Sequence, residues 1–207
     1  MVAPLTARGQ STRRKILGEA RALLVQNGYD ALVLRSVATR CGLTLGNLQY
    51  YFKTREDLIY ALIEAEASRD LATIEAALAS VGEPEERLNQ ITRRLLTQWD
   101  DEASAVYSTL ALLRIDRPAF RQLHEELYRT HYRALEDVIA RFPNGLSARA
   151  RATRAQLITA LIDGAALQVP AQGREAFFEE VVTLARAIAM ENAADDQPEL
   201  SKSRRGP

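Results

Sequence analysis

Cysteine, histidine and long apolar runs are nearly missing from this chain, and each shortage closes a line of interpretation. A single Cys41 leaves no partner for an intrachain disulfide, and a thiol-tolerant cytosol suits it. The only two histidines, His124 and His131, stand seven residues apart. A helical metal pair uses a spacing of about four, and no cysteine or carboxylate cluster completes a site. Neither a metal nor a cofactor is expected. No glycine-rich nucleotide loop and no Ser-His-Asp context occur, so the chain does not read as an enzyme. Val, Ile, Thr and Tyr never gather into alternating runs, which argues against strands. The longest uncharged stretch, Cys41–Phe52, has twelve residues, well short of the roughly 20 that cross a bilayer. Met1–Thr12 lacks the apolar centre of a secretory signal. The expectation is a soluble, cytoplasmic protein with no membrane partner.

What the chain does hold is helix-forming: Ala, Leu, Arg and Glu dominate its 207 residues. That length suffices for one or two domains with a real core. The net charge of zero hides an asymmetry. Residues 1–55 carry nine basic side chains and two acidic ones, a net +7, and the remainder carries −7. A basic head on an acidic body suits contact with a polyanion, although a solvated face could cluster charge as well.

Breakers divide the chain at helical intervals. A first pattern begins near Thr12, buries Ile16, Leu17, Ala20, Leu23 and Leu24, and closes at Asn27-Gly28, where Gly28 suits a left-handed C-terminal position. A second runs from Leu34 to Cys41 and stops at Gly42. A third runs from Leu45 to about Phe52 with Thr44 as N-cap. Thr54 and Asp57 resemble a capping box opening a long helix with Leu58, Leu62, Leu71, Ile74 and Leu78 inward. Later breaks fall at Val81–Pro84, Asp116–Pro118, Phe142–Gly145 and Pro170–Gly173. The reading is an all-α chain of about nine helices, with a polar tail from Ala193 to Pro207 that lacks periodicity and reads as disordered.

The segment Leu34–Phe52 carries the most information. Gly42-Leu43-Thr44 joins two short helices, and a tight turn there needs the positive φ that Gly42 supplies. Ala38 is small where two helices must approach closely, and Val37, Leu43, Leu48 and Phe52 are spaced to pack inward. Leu45, Gly46, Asn47, Gln49, Tyr50 and Tyr51 then face outward. A face with Asn, Gln and two Tyr but no charge suits a major groove, because Asn and Gln can bond adenine and Tyr can reach phosphate. The same face could instead pack against another domain.

Gly42–Phe52 followed by Lys53-Thr54-Arg55-Glu56-Asp57-Leu58 resembles the signature of the TetR family. That signature is a glycine, a recognition helix ending in an aromatic, then a basic residue before a Glu-Asp-Leu helix start. Ile16, Ala20, Leu23 and Gly28-Tyr29 are similar to the family's first helix, and Val37-Ala38 to its second. The resemblance implies an N-terminal helix-turn-helix domain over residues 1–54 and a helical effector-binding and dimerisation domain over 55–192, with 193–207 as tail. It implies a transcriptional regulator, a repressor released from a palindromic double-stranded DNA operator by a small molecule. It places Arg35, Thr44, Leu45, Asn47, Gln49, Tyr50, Tyr51 and Arg55 at the DNA, with Arg35 reaching a base and Tyr51 and Arg55 on phosphate. The sequence departs from the pattern at Leu32 and Val33, where threonines are usual, at Gln49 for a tyrosine and at Leu45 for a lysine. These changes bear on the operator sequence.

Two late segments carry apolar stripes wider than one core face needs: Leu157, Ile158, Leu161 and Ile162 in the first, and Phe177, Val181, Leu184 and Ile188 in the second. The resemblance implies that they pair across a two-fold axis in a homodimer. The alternative is a doubly buried last helix in a monomer. Trp99, Tyr107, Leu110, His124, Tyr128 and His131 lie on patterned middle segments where the family holds its ligand, and ordinary core packing would explain each of them too. A second reading keeps the DNA and drops the effector: an architectural or cell-cycle DNA-binding protein of the same fold.

Overall fold

The computed structural model describes residues 6–79, 82–99, 101–170 and 172–191. Among these there are nine α-helices and no strand. They are α1 (Ala7–Ala31), α2 (Leu34–Cys41), α3 (Leu45–Gln49), α4 (Arg55–Ala79), α5 (Pro84–Gln98), α6 (Asp101–Asp116), α7 (Pro118–Ile139), α8 (Ala148–Leu167) and α9 (Arg174–Met190). The tail expected from Ala193 onward lies outside the described residues.

Local chemistry sets most boundaries. Thr6 caps α1 by accepting from Gly9 N–H at 3.2 Å, so the helix starts well before the expected Thr12. Gly28 breaks it with φ 76° and ψ 179°. The positive φ agrees with the sequence expectation, but ψ is extended rather than left-handed helical. Only glycine adopts that combination at little cost. Gly42 ends α2 in the left-handed region, φ 68° and ψ 30°. Thr54 and Asp57 form the reciprocal box: Thr54 N–H donates to Asp57 Oδ2 at 2.9 Å, and Asp57 N–H to Thr54 Oγ1 at 3.0 Å. Pro84 and Pro118 open α5 and α7, where the missing N–H is no loss. Ser147 caps α8 through Ala150 N–H at 3.1 Å, so that helix also begins earlier than its apolar stripe suggested.

The described residues form two compact units, one drawn from residues 6–70 and 98–128 and the other from 71–97 and 129–191. The first therefore joins the helix-turn-helix to the start of α4, to α6 and to the first half of α7. Its core gathers Ile16, Ala20, Leu24, Val37, Leu48 and Phe52 with Leu58, Leu62, Val106 and Leu110. The second unit packs Ile74, Leu88, Ile91, Leu96, Val138, Ile158, Ile162, Phe178 and Val181.

Candidate nucleic-acid interface

The turn between α2 and α3 rests on a small hydrophobic centre. Val37, Ala38 and Leu48 are buried beside Ile16 and Phe52, so both short helices gain tertiary support that five residues of α3 could not supply alone. Thr44 Oγ1 accepts from Asn47 N–H at 3.2 Å and fixes the start of α3. With Leu48 inward, Asn47, Gln49 and Tyr50 project outward, and Tyr50 is 72 % exposed. The side chains of Asn47 and Gln49 make no hydrogen bond within the described residues. Thr44 and Arg35 are exposed as well, and Leu45 is half-buried. Tyr51 departs from the expected outward set. It is half-buried and packs on the core, with its ring edge-on to Tyr50 at 5.2 Å. Val33 offers α2 no side-chain cap, as its type requires.

The nine basic side chains of residues 1–55 divide into two groups. Lys15 Nζ donates to the Cys41 carbonyl at 3.0 Å. Arg21 pairs with Glu66 at 2.7 Å and Glu102 at 2.5 Å. Arg40 pairs with Glu19 at 3.1 Å and donates to Gln26 at 3.0 Å. Arg55 lies over the Tyr29 ring at 3.9 Å and donates to the Tyr29 carbonyl. The resemblance placed Arg55 on phosphate; in this structure its guanidinium is engaged at the break in α1 and its Nε is buried. Among the described residues Arg8, Arg13, Arg14, Arg35 and Lys53 have neither an ion pair nor a side-chain hydrogen bond. Cys41 is packing rather than chemistry: burial, then the Glu19 charge, pushes its thiol up from the ordinary 9.0.

Residues 16–62 match the family described as "Bacterial regulatory proteins, tetR family", and residues 84–193 match "BetI-type transcriptional repressor, C-terminal". The second match alone covers more than half of the chain.

The chain belongs to the TetR family.

Its relatives include the HTH-type transcriptional repressor KstR of Mycolicibacterium smegmatis, 37 % identical over 84 residues, which are 40 % of this chain and 41 % of that protein. The HTH-type transcriptional regulator QacR of Staphylococcus aureus is 38 % identical over 55 residues, 27 % of this chain and 29 % of its own length. The chain thus aligns with less than half of either relative. A TetR transcription regulator from Haloarcula marismortui shares the fold at a TM-score of 0.73 and 20 % identity, over 87 % of this chain and 97 % of that one.

The expected effector residues do not form one group. Trp99 stacks on Tyr107 at 4.6 Å, and both are buried. The Tyr107 hydroxyl and Gln98 Nε2 donate to the two carboxylate oxygens of buried Asp70, Gln98 at 2.8 Å. Leu110 sits in the core of the first unit. His124 stacks on Tyr128 at 4.3 Å, and burial, then Arg114, lowers its pKa below the usual 6.5. His131 belongs to the second unit. Two open clefts are lined by other side chains. One of about 460 Å³ lies among Glu83, Glu85, Glu86, Asn89, Phe142 and Pro143. The other, of about 390 Å³, includes Glu56, Tyr60, Arg117 and Phe120. Sequence reasoning missed Asp70. The clue was its spacing, since Ile59, Leu62, Glu66, Asp70 and Ile74 fall on one stripe of α4, and a carboxylate on a buried stripe needs partners.

The stripes expected at a partner face split. Val181 is 3 % exposed, in the core of its own unit. Leu161, Phe177 and Ile188 are half-buried against that core. Leu157 and Leu184 are 52 % exposed each. Along α8 the outer line Thr153, Gln156, Leu157, Ala160, Gly164, Leu167 carries no charge.

Proposed function

We propose that this chain is a sequence-specific, DNA-binding transcriptional repressor that acts as a homodimer on a two-fold symmetric operator. The observation that carries the reading is the free outer face of α3, where Asn47, Gln49 and Tyr50 stand exposed on a helix whose start, turn and inner face are all fixed. That is a preformed surface able to bond base edges, and its Asn47 and Gln49 side chains have no hydrogen-bond partner among the described residues. Arg35 and Lys53 flank it as unpaired cations. Repression follows the family match and the KstR relative, both described as repressors. The uncharged outer line of α8 around Leu157, together with exposed Leu184 on α9, supplies the pairing face. In this reading residues 1–54 read DNA, and the helices from 55 to 192 pair and respond to a small molecule.

Selection of duplexes from a random pool tests this. The expected product is an inverted repeat with half-site centres about 34–36 Å apart, or a multiple of that spacing. A pool that never enriches, or enriches a single unrepeated site, overturns the reading. A specific observation favours a second reading, an architectural DNA-binding protein without an effector. Trp99 and Tyr107 are buried and stacked, Leu110 is buried in the core, and each Asp70 carboxylate oxygen accepts a hydrogen bond. Thermal shift across a metabolite collection separates the two, since only a sensor gains stability with one ligand.

A further inference from the structure

Two arginines of the basic head, Arg13 and Arg55, are held by aromatic rings in different ways. Arg55 gives a donor to the Tyr29 carbonyl, stacks on the Tyr29 ring and buries its Nε. One of its five N–H groups is bonded and one is buried, so three remain, on a guanidinium tied to the break in α1. Arg13 is in the opposite position. Its guanidinium carbon lies over the Phe52 ring, 5.3 Å from the centroid. A phenyl ring attracts the cation through its π face but accepts no in-plane hydrogen bond. The donors around the guanidinium rim therefore stay available. Arg13 has no carboxylate partner among the described residues and is half-buried, so it is held in place without being enclosed.

Position adds to chemistry. Phe52 closes the α3 segment and is followed directly by exposed Lys53. A side chain resting on Phe52 stands beside the end of the recognition helix, where a helix seated in the major groove meets the flanking strand. Arg8 and Arg14 continue the unpaired positive charge along the same end of α1.

We propose that Arg13 is a DNA-backbone contact: a guanidinium preset on Phe52 that binds a phosphodiester oxygen beside the recognition helix, in the role that Arg55 would otherwise fill. The inference rests on the DNA-binding reading above. Because the contact is to phosphate, it adds affinity on any sequence and no discrimination.

The test measures affinity against salt concentration for full-length wild type, Arg13→Met, Arg13→Lys and Arg55→Met. Two duplexes are used, one recovered from a random pool on wild-type protein and one unselected. Arg13→Met should reduce the slope of log K against log salt by about 0.9 for each head on the DNA, on both duplexes. Arg13→Lys should keep most of the slope. Arg55→Met should keep the slope and lower the melting temperature instead. An Arg13→Met protein with a native circular dichroism spectrum and a wild-type slope overturns the proposal while leaving DNA binding intact. So does an Arg13→Lys protein whose slope falls as far as that of Arg13→Met, since then the packing on Phe52 matters and not the charge. A random pool that never enriches on wild-type protein, with no binding to the unselected duplex, overturns the DNA-binding reading, and this inference with it.

Discussion

Leu184 and Val181 share α9 and lie three residues apart, yet they should fail in different ways when shortened. Val181 is 3 % exposed within its own chain, while Leu184 is 52 % exposed. Truncating Val181 to alanine removes about two buried methyl groups and leaves a small void, a loss of about 2 kcal/mol of subunit stability. Truncating Leu184 removes carbons that are only half covered in the isolated chain. A two-fold interface would cover the rest, at about 0.8 kcal/mol for each fully buried methylene. Half of three carbons is about 1.2 kcal/mol, and two-fold symmetry counts it twice. Leu184→Ala should therefore weaken the dimer by about 2 kcal/mol, roughly thirtyfold in Kd, with little change in the subunit fold. Sedimentation equilibrium over a concentration series measures the first quantity, and urea melts at fixed high concentration report the second. A Leu184→Ala protein with the wild-type dimer constant would refute the argument. So would a Val181→Ala protein that dissociates more readily while melting like wild type. Val181→Glu is a poor probe of pairing, because a carboxylate there enters the subunit core and attacks the fold first.

Gln49→Ala should weaken binding to a selected duplex by about 1–3 kcal/mol and leave an unselected duplex nearly unchanged, as competition titrations would show; equal losses on both would mean that Gln49 reads no base. Thr54→Ala removes the acceptor for Asp57 N–H and half of the reciprocal box, so thermal unfolding should record a loss of about 1 kcal/mol, with no loss if the cap is replaced by water. His124 has a folded pKa below the ordinary 6.5, through burial first and then Arg114. The unfolded chain then binds the proton more readily, and stability falls as pH drops from about 6.5 toward the folded value. Urea midpoints measured between pH 7.5 and 5.5, both ordinary buffer values near the histidine range, should decline less in His124→Gln than in wild type; parallel declines would remove His124 from the acid dependence.

Much of the local structure could be read directly because its causes are local. The Thr44 cap, the Thr54–Asp57 box, the positive φ at Gly42 and the proline starts of α5 and α7 each depend on residues within one turn of each other. The outward placement of Asn47, Gln49 and Tyr50 was legible for the same reason: once Leu48 and Phe52 point inward, the helical repeat sends them the other way. The early starts of α1 and α8 escaped notice because an apolar stripe marks only the buried part of a helix. Thr6 and Ser147 extend those helices into polar sequence.

The sequence by itself determined the helical class, the turn chemistry and the outward turn of Asn47, Gln49 and Tyr50, since these follow from spacing along the chain, whereas Tyr51 was drawn onto the core. Tertiary structure alone decided which charges are free. Arg13 and Arg55 are the same residue type in the same basic head, but one rests on a phenyl ring with its donors open and the other is engaged by Tyr29. It also decided that Val181 belongs to the core and Leu184 to the surface, and that Asp70 finds Gln98 and Tyr107. Each of those outcomes depends on a partner far away in the sequence. Periodicity shows that a side chain faces some neighbour, and only the packed chain supplies which neighbour it is.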